Sequence, residues 1–344
     1  MAASQFDIGA LDRRVLLSGA GLSRNWGGYL ASEMWGAILG HPRVQESQAL
    51  RELLLGEQNF ETALAEVQTN IAFEAGREAM NTAVKEAFRL QDDNQRSTLG
   101  RSISSTWNTF AETVVRSFDP YDRQPPRRAS FFFTLNQDVL LERGFRPPSQ
   151  ILPNIPGLDA DRVWQKPIKP PPFTQESYSD QSSLAVTVTE EPCELVIRDR
   201  FNYVKLHGSF NWTRGTDAMM VLGGGKQEAI DRFWLLRSYF DLFKQILEAG
   251  DMRLLVVGYS FCDAHVNRVI VNAARHHRLK IVIVDPRPPA DLRRHLLLSR
   301  CGEIWDALID YVGRPLTEIY PADHHGDRSG DMQRIERSFL SYSY

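Results

Sequence analysis

Residues 13–23 read RRVLLSGAGLS, in which a short apolar run, Val15–Ser18, passes directly into Gly19-Ala20-Gly21. Apolar strands that break on paired glycines are the entry to a strand-to-helix turn, where backbone N–H groups can approach a pyrophosphate. A tight turn with no ligand would use the same glycines, and the full G-x-G-x-x-G fingerprint is absent. Five further runs have the same build: Phe131–Leu135, Tyr203–Leu206, Met219–Leu222, Leu254–Val257 and Lys280–Val284. They are nearly continuous in apolar residues, as strands covered on both faces must be, and helix-like stretches separate them. The pattern predicts an α/β fold: a Rossmann-like, doubly wound parallel sheet.

Two interruptions stand out. Between the first two strands, Asn59–Leu90 repeats Phe60, Leu64, Val67, Ile71, Ala75, Met80, Val84 and Phe88 at helical steps, and Thr98–Phe118 is also helical in character. These stretches predict a helical subdomain inserted at about residues 44–120. Residues 146–183 are rich in proline and are expected to be a loop. Ala185–Val188 and Glu194–Arg198 could form a hairpin leading into the next strand. The expected organisation is one catalytic domain over residues 1–320, with residues 321–344 as a C-terminal tail or helix.

Composition removes several function classes. With 40 basic and 43 acidic residues the formal charge is −3, so nothing draws the chain to nucleic acid or an anionic membrane. No apolar run approaches the roughly 20 residues of a membrane span. The N-terminus lacks the pattern of a secretory signal. Cys193, Cys262 and Cys301 lie far apart and form no CxxC pair, which fits a reduced, cytoplasmic chain and excludes a thiolate zinc ribbon. GYSFC lacks the last glycine of a nucleophile elbow, and GGGKQ lacks the spacing of a P-loop. Asp323-His324-His325-Gly326-Asp327 is read as a polar turn in preference to a metal site.

The chemistry sits at strand ends. FFFTLNQD, residues 131–138, closes on Thr134, Asn136 and Asp138, which an open α/β sheet would aim into its ligand crevice; Asn136 and Asp138 could instead cap the next helix. NYVKLHGSFNW, residues 202–212, ends its apolar run at His207-Gly208. A histidine there suits proton transfer at neutral pH, and Gly208 would leave room for a ligand, although a lone strand-end histidine is more often structural. Gly258 and Ser260 close a further strand, followed by Asp263, His265 and Asn267. His265 could cap the helix or pair internally. Asp285 could hold a ribose or simply make the turn before Pro286. Trp26 and Tyr29 could close over a ligand or pack in the core.

Taken together, Gly19–Ser23 (GAGLS), Thr134–Asp138 (TLNQD) and His207–Gly208 resemble, in the same order, motifs of the sirtuin superfamily. LLVVGYSFCDAHVN, residues 254–267, preceded by MVLGGGK, residues 220–226, resembles its bacterial, anti-phage defence branch. The likeness spans about Val15–Asp285, with the helical insertion and proline-rich loop loosely covered. It implies NAD+ as substrate, with Asn136 and His207 catalytic, and Gly19, Ala20, Gly21, Ser23, Thr134, Asp138, Gly258, Ser260 and Asp285 binding NAD+. It departs from protein-deacylating sirtuins in lacking the zinc ribbon and in reading Arg24-Asn25-Trp26-Gly27-Gly28-Tyr29 where those continue G-I-P-x-F-R.

The expected activity is therefore an NAD+ glycohydrolase that releases nicotinamide and ADP-ribose and depletes NAD+ in abortive-infection defence. A protein deacylase or ADP-ribosyltransferase, and a non-catalytic NAD+- or ADP-ribose-binding module, are the alternatives. No metal is expected. The resemblance further implies a homo-oligomer and a hexameric ATPase or other defence-system partner.

Overall fold

The structure is a computed structural model, and it describes residues 11–101, 106–115, 128–144, 154–158, 186–188, 195–196, 201–320 and 329–340. Six strands form the central sheet: β1 (Leu11–Ser18), β2 (Ala129–Thr134), β4 (Phe201–Lys205), β7 (Arg253–Val257), β8 (Lys280–Val284) and β9 (Leu308–Val312), all paired in parallel in the order β4-β2-β1-β7-β8-β9. Renumbered by order of appearance, this is the 3-2-1-4-5-6 arrangement of a Rossmann sheet. The chain builds outward from β1 to one edge, then returns to the other side of β1. Right-handed crossovers then place the two sets of helices on opposite faces. All six residues of β2, ASFFFT, are buried, and so are the last four of β7 and β8. Such unbroken apolar runs are what two covered faces demand.

Register brings the carboxyl ends level. Ser18 lies beside both Thr134 and Val257, Thr134 beside Lys205, and Val257 beside Val284. The residues that follow, Gly19, Leu135, Leu206, Gly258 and Asp285, therefore leave along one edge, and the topological reversal falls between β1 and β7. Ligands of open α/β sheets sit at that point.

A second sheet has the order β3-β5-β6: β3 (Val186–Thr187), β5 (Gly208–Arg214) and β6 (Asp217–Met220). It corrects one expectation. The 219–222 run is not a member of the parallel sheet; its start pairs antiparallel with β5. Val186–Thr187 pairs in parallel with β5 at Trp212 and Thr213; of the expected hairpin partner 194–198 only Leu195 and Val196 are among the described residues, and they are in no strand. The strand β5 occupies residues that the sequence reading treated as the strand end after His207.

Between β1 and β2 the described residues form only helices, beginning at Ala20 and, for longer elements, at Ala31, ahead of residue 44. Met34, Ile38, Leu50, Leu54, Phe60, Leu64, Val67, Met80, Val84 and Phe88 form a second core distinct from that of the sheet. Helical periodicity finds most of this face but not all of it: Ile71 is 79% exposed and Ala75 is exposed. The helix Phe60–Thr69 ends at Asn70, whose side chain accepts from Ala72 N and starts a new 3-10 turn. That break resets the angular phase, so the period no longer carries residue 71 inward. The expected proline-rich loop lies almost entirely outside the described residues, and so does the 323–327 polar turn. No helix among the described residues is long and apolar enough to cross a membrane.

Candidate functional site

The turn after β1 is interlocked with the turn after β7. Gly19 N–H donates to Val257 O at 3.0 Å and Gly21 N–H to Gly258 O at 2.9 Å. A Cβ on Gly19 would lie 2.8 Å from Gly258 O, and one on Gly21 would lie 2.7 Å from Gly258 Cα. Close backbone packing is thus the first reason for these glycines, and two of their donors are already used. The helix that follows starts at Ala20 and lasts only through Arg24. Ala20 is exposed, Gly21 half-buried and Ser23 buried.

The β2 turn reaches across to this pair. Asn136 Nδ2 donates to Gly19 O at 3.0 Å and to Ser23 Oγ at 2.8 Å. Both amide hydrogens are therefore committed, which leaves Oδ1 as the atom that can accept from a ligand. Thr134 is an internal brace: its hydroxyl oxygen accepts from Ser18 Oγ at 2.8 Å and from Asn136 N at 3.1 Å. Asp138 caps the helix Leu140–Gly144 through Leu140 N and also accepts from Gln91 Nε2 at 3.1 Å. Beneath this turn the fully buried Lys205 donates to Asp138 O and to Glu142 Oε1, the latter at 2.7 Å, while Tyr203 Oη donates to Glu142 Oε2. Removing the anion of a buried pair leaves an uncompensated charge at a cost of about 3 kcal/mol or more. Glu142→Gln is expected to lose stability by about that amount in chemical denaturation, with Glu142→Asp intermediate.

His207 stands at the end of β4 and is buried. Its Nε2 lies 2.9 Å from His265 Nε2. Burial pushes the imidazole down to about 3, against a smaller opposing effect of Asp263, so the ring is neutral at physiological pH. Gly208 does not leave ligand space, contrary to the sequence reading. Its φ is +69°, and a Cβ there would land on the Met219 carbonyl oxygen. The glycine serves the β5-β6 crossing.

His265 lies in the first turn of the helix Ala264–His276, with Asp263 at its N-cap. Of its two sequence-level roles, it takes the internal pairing. Asp263 Oδ1 binds Lys226 Nζ at 2.6 Å, and the same ammonium binds Glu61 Oε2 at 2.8 Å. Burial works to raise the Asp263 carboxyl, but the charges around it, Lys226 among them, hold it below its ordinary range. The network therefore joins the helix Phe60–Thr69 of the second core to the site. The sequence singled out Lys226 only as the last residue of MVLGGGK, without a role, and gave no signal for Glu61.

Around β7, Gly258 has φ +61° and the buried, non-glycine Phe261 also has φ +61°. A bulky residue in that region is strained, and such strain gathers at ligand sites. Ser260 is exposed at the crevice edge. Asp285 makes the turn: its carboxylate accepts from Arg287 N at 2.8 Å and from Arg287 Nη2 at 2.6 Å. It thereby holds a guanidinium, missed in the sequence, whose Nη2 also lies 3.4 Å from Tyr259 O. Trp26 is not a lid: it is buried against Trp107 with ring centroids 5.0 Å apart, and its indole donates to Thr106. Tyr29 accepts from Asn94 and packs against the second core.

A family model described as a SIR2-like domain matches residues 130–303. The chain belongs to the SIR2-like family. The match runs from β2 to the start of the helix Gly302–Asp306, so it contains Asn136, His207 and Gly258, while β1 and its glycine turn precede it. SIR2-like domains use NAD+. No curated protein matches the chain. In this SIR2-like domain Asn136, Ser23 and Gly19 form one hydrogen-bonded unit and His207 and His265 form a pair with Asp263 beside it, both at the carboxyl edge of the sheet. Asp285 and Arg287 lie at the same edge, beyond β8.

Proposed function

We propose that this SIR2-like domain cleaves the nicotinamide–ribose bond of NAD+ and passes the ribose to water, giving nicotinamide and ADP-ribose. The observation that carries the reading is Asn136, whose amide hydrogens tie the β2 turn to Gly19 and Ser23 and so fix Oδ1 at the β1/β7 switch point. Cleavage builds positive charge on the ribose while a neutral base departs. The site has to orient the sugar and the attacking water, which is positioning work in place of redox work. Asn136 Oδ1 accepts from the ribose or the water. His207, neutral and stripped of solvent, accepts a proton once a hydroxyl replaces His265 at Nε2.

Ala20, Ser260 and the turn glycines border the dinucleotide. Thr134 and Asp138 act by bracing Asn136. Asp285 presents Arg287, whose planar fork suits a pyrophosphate oxygen pair. Residues 1–320 form the catalytic unit in this reading. A cytoplasmic role in anti-phage defence, acting as a homo-oligomer with a hexameric ATPase or other defence partner, belongs to the same proposal and rests on the motif resemblance.

The competing acceptor is an acylated or nucleophilic protein. The absence of paired cysteines and the Arg24–Tyr29 segment, with Trp26 sunk in the core, favour water. Incubation with NAD+ alone is expected to yield ADP-ribose, with acetyl-lysine peptide adding nothing to turnover. Mass spectrometry decides: cleavage strictly dependent on the peptide, with the acylated sugar as product, reassigns the domain to deacylation.

A further inference from the structure

Three ligating side chains from two elements converge at the proposed base. His207 follows β4, His265 lies in the helix Ala264–His276, and Asp263 stands at that helix's N-cap. One ligand atom of each lies within 4.8 Å of the others. Both histidines are buried and Asp263 is half-buried. The two rings meet Nε2 to Nε2 at 2.9 Å, where one nitrogen can carry the shared hydrogen and the other accepts it. A cation between them would take a lone pair from each ring.

We propose that His207, His265 and Asp263 bind a borderline-soft transition-metal dication, zinc by the donor set, and that the bound ion inhibits NAD+ cleavage by occupying the Nε2 of His207. The inhibitory half rests on the reading of His207 as the base; the binding half does not.

The donor set is two imidazoles and a carboxylate, which leaves a fourth position for water. Tetrahedral bonds of about 2.0–2.1 Å set the two nitrogens roughly 3.3 Å apart, so the rings must part by about 0.4 Å from their present contact. Asp263 has one oxygen on Lys226 and a second to offer. The charged groups facing the cluster are Asp263, Lys226 and, through Lys226, Glu61, with Arg268 acting on His265. Lys226 is thus the cation that a metal must tolerate, and its removal should tighten binding.

The full chain is titrated with Co2+ and then Zn2+, following the visible d–d absorption of cobalt independently of NAD+. One equivalent is expected to give tetrahedral-type bands that zinc displaces. His265→Gln, whose amide can preserve the contact with His207, and Asp263→Asn are each expected to weaken binding at least tenfold. Lys226→Gln should strengthen it. Cys262→Ser and His324→Ala with His325→Ala should leave it unchanged, which excludes the exposed thiol and the C-terminal histidines as the source. Nicotinamide release by the parent should fall with the same midpoint as the absorption rises. No band at one equivalent, or an undiminished band in folded His265→Gln and Asp263→Asn, overturns the site. Binding accompanied by increased cleavage overturns the inhibitory role alone. A chain that binds cobalt as described but never cleaves NAD+ retains the site and loses the proposed function.

Discussion

Asn136→Ala and His207→Ala are each expected to lower NAD+ cleavage by about 10²- to 10⁴-fold, the range typical of losing a positioned proton-transfer or orienting group. Neither residue is a free strand-end side chain. Asn136 is buried and donates to Gly19 O and Ser23 Oγ, and His207 is buried against His265. Each truncation therefore leaves buried polar partners unmet, costing about 1–3 kcal/mol of stability as well. The loss of activity must be read on variants shown by circular dichroism and thermal melting to be folded at the assay temperature. Asn136→Asp is a sharper probe, because it keeps an oxygen for the ribose but cannot donate to both Gly19 and Ser23. It should be nearly as inactive as the alanine variant if the orientation of that side chain matters. Folded Asn136→Ala and His207→Ala enzymes that release nicotinamide at close to the parental rate would place the chemistry elsewhere.

What the sequence discloses and what it hides follow from the range of the interactions. Phe131–Phe133 and Val282–Val284 announce parallel strands because burial on both faces leaves a signature in consecutive residues. The strand Leu308–Val312 escapes notice since it lies at the sheet edge, where Asp310 and partly exposed neighbours dilute that signature. The second sheet is hidden for a related reason: β5, GSFNWTR, mixes inward Trp212 with half-exposed polar positions and begins on the glycine that was read as the end of the preceding strand.

At the site the residue types were legible and their partners were not. The glycines of GAG were tied to the approach of a pyrophosphate; the group that packs closely on them in the structure is the Gly258 backbone. His207 was identifiable as a histidine at a strand end and His265 as one that could pair internally, but nothing local shows that the two, 58 positions apart, pair with each other. Asp138 and Asp285 each satisfy a nearby backbone N–H, Leu140 in one case and Arg287 in the other. Such short-range caps are the commonest use of aspartate after a strand, and they coexist with a bracing role in the site.

Gly258→Ala is expected to prevent stable folding at physiological temperature, the largest effect on stability of any single methyl group considered. The φ of +61° alone costs an L-residue about 1–2 kcal/mol. The larger contribution is steric, since a Cβ there would come within 2.6 Å of Gly21 Cα and press on the neighbouring Gly21 and Leu22 backbone. Those atoms cannot rotate aside as a side chain would. Relief requires the β1 turn to leave the β7 turn, breaking Gly21 N–H to Gly258 O and loosening Gly19, the acceptor that holds Asn136. The combined cost exceeds about 4 kcal/mol, a range reached only by a few mechanisms, of which backbone strain with overpacking is one. Gly36→Ala provides the control. It lies within the helix Ala31–Leu39, a Cβ there meets nothing within 4 Å, and the exchange should stabilise the chain by about 0.5–1 kcal/mol through helix propensity. Denaturation of the two variants beside the parent separates interlocking turns from a general intolerance of glycine replacement. If Gly258→Ala melts with the parent, the two turns are not packed as described, and the placement of Asn136 Oδ1 at the switch point falls with them.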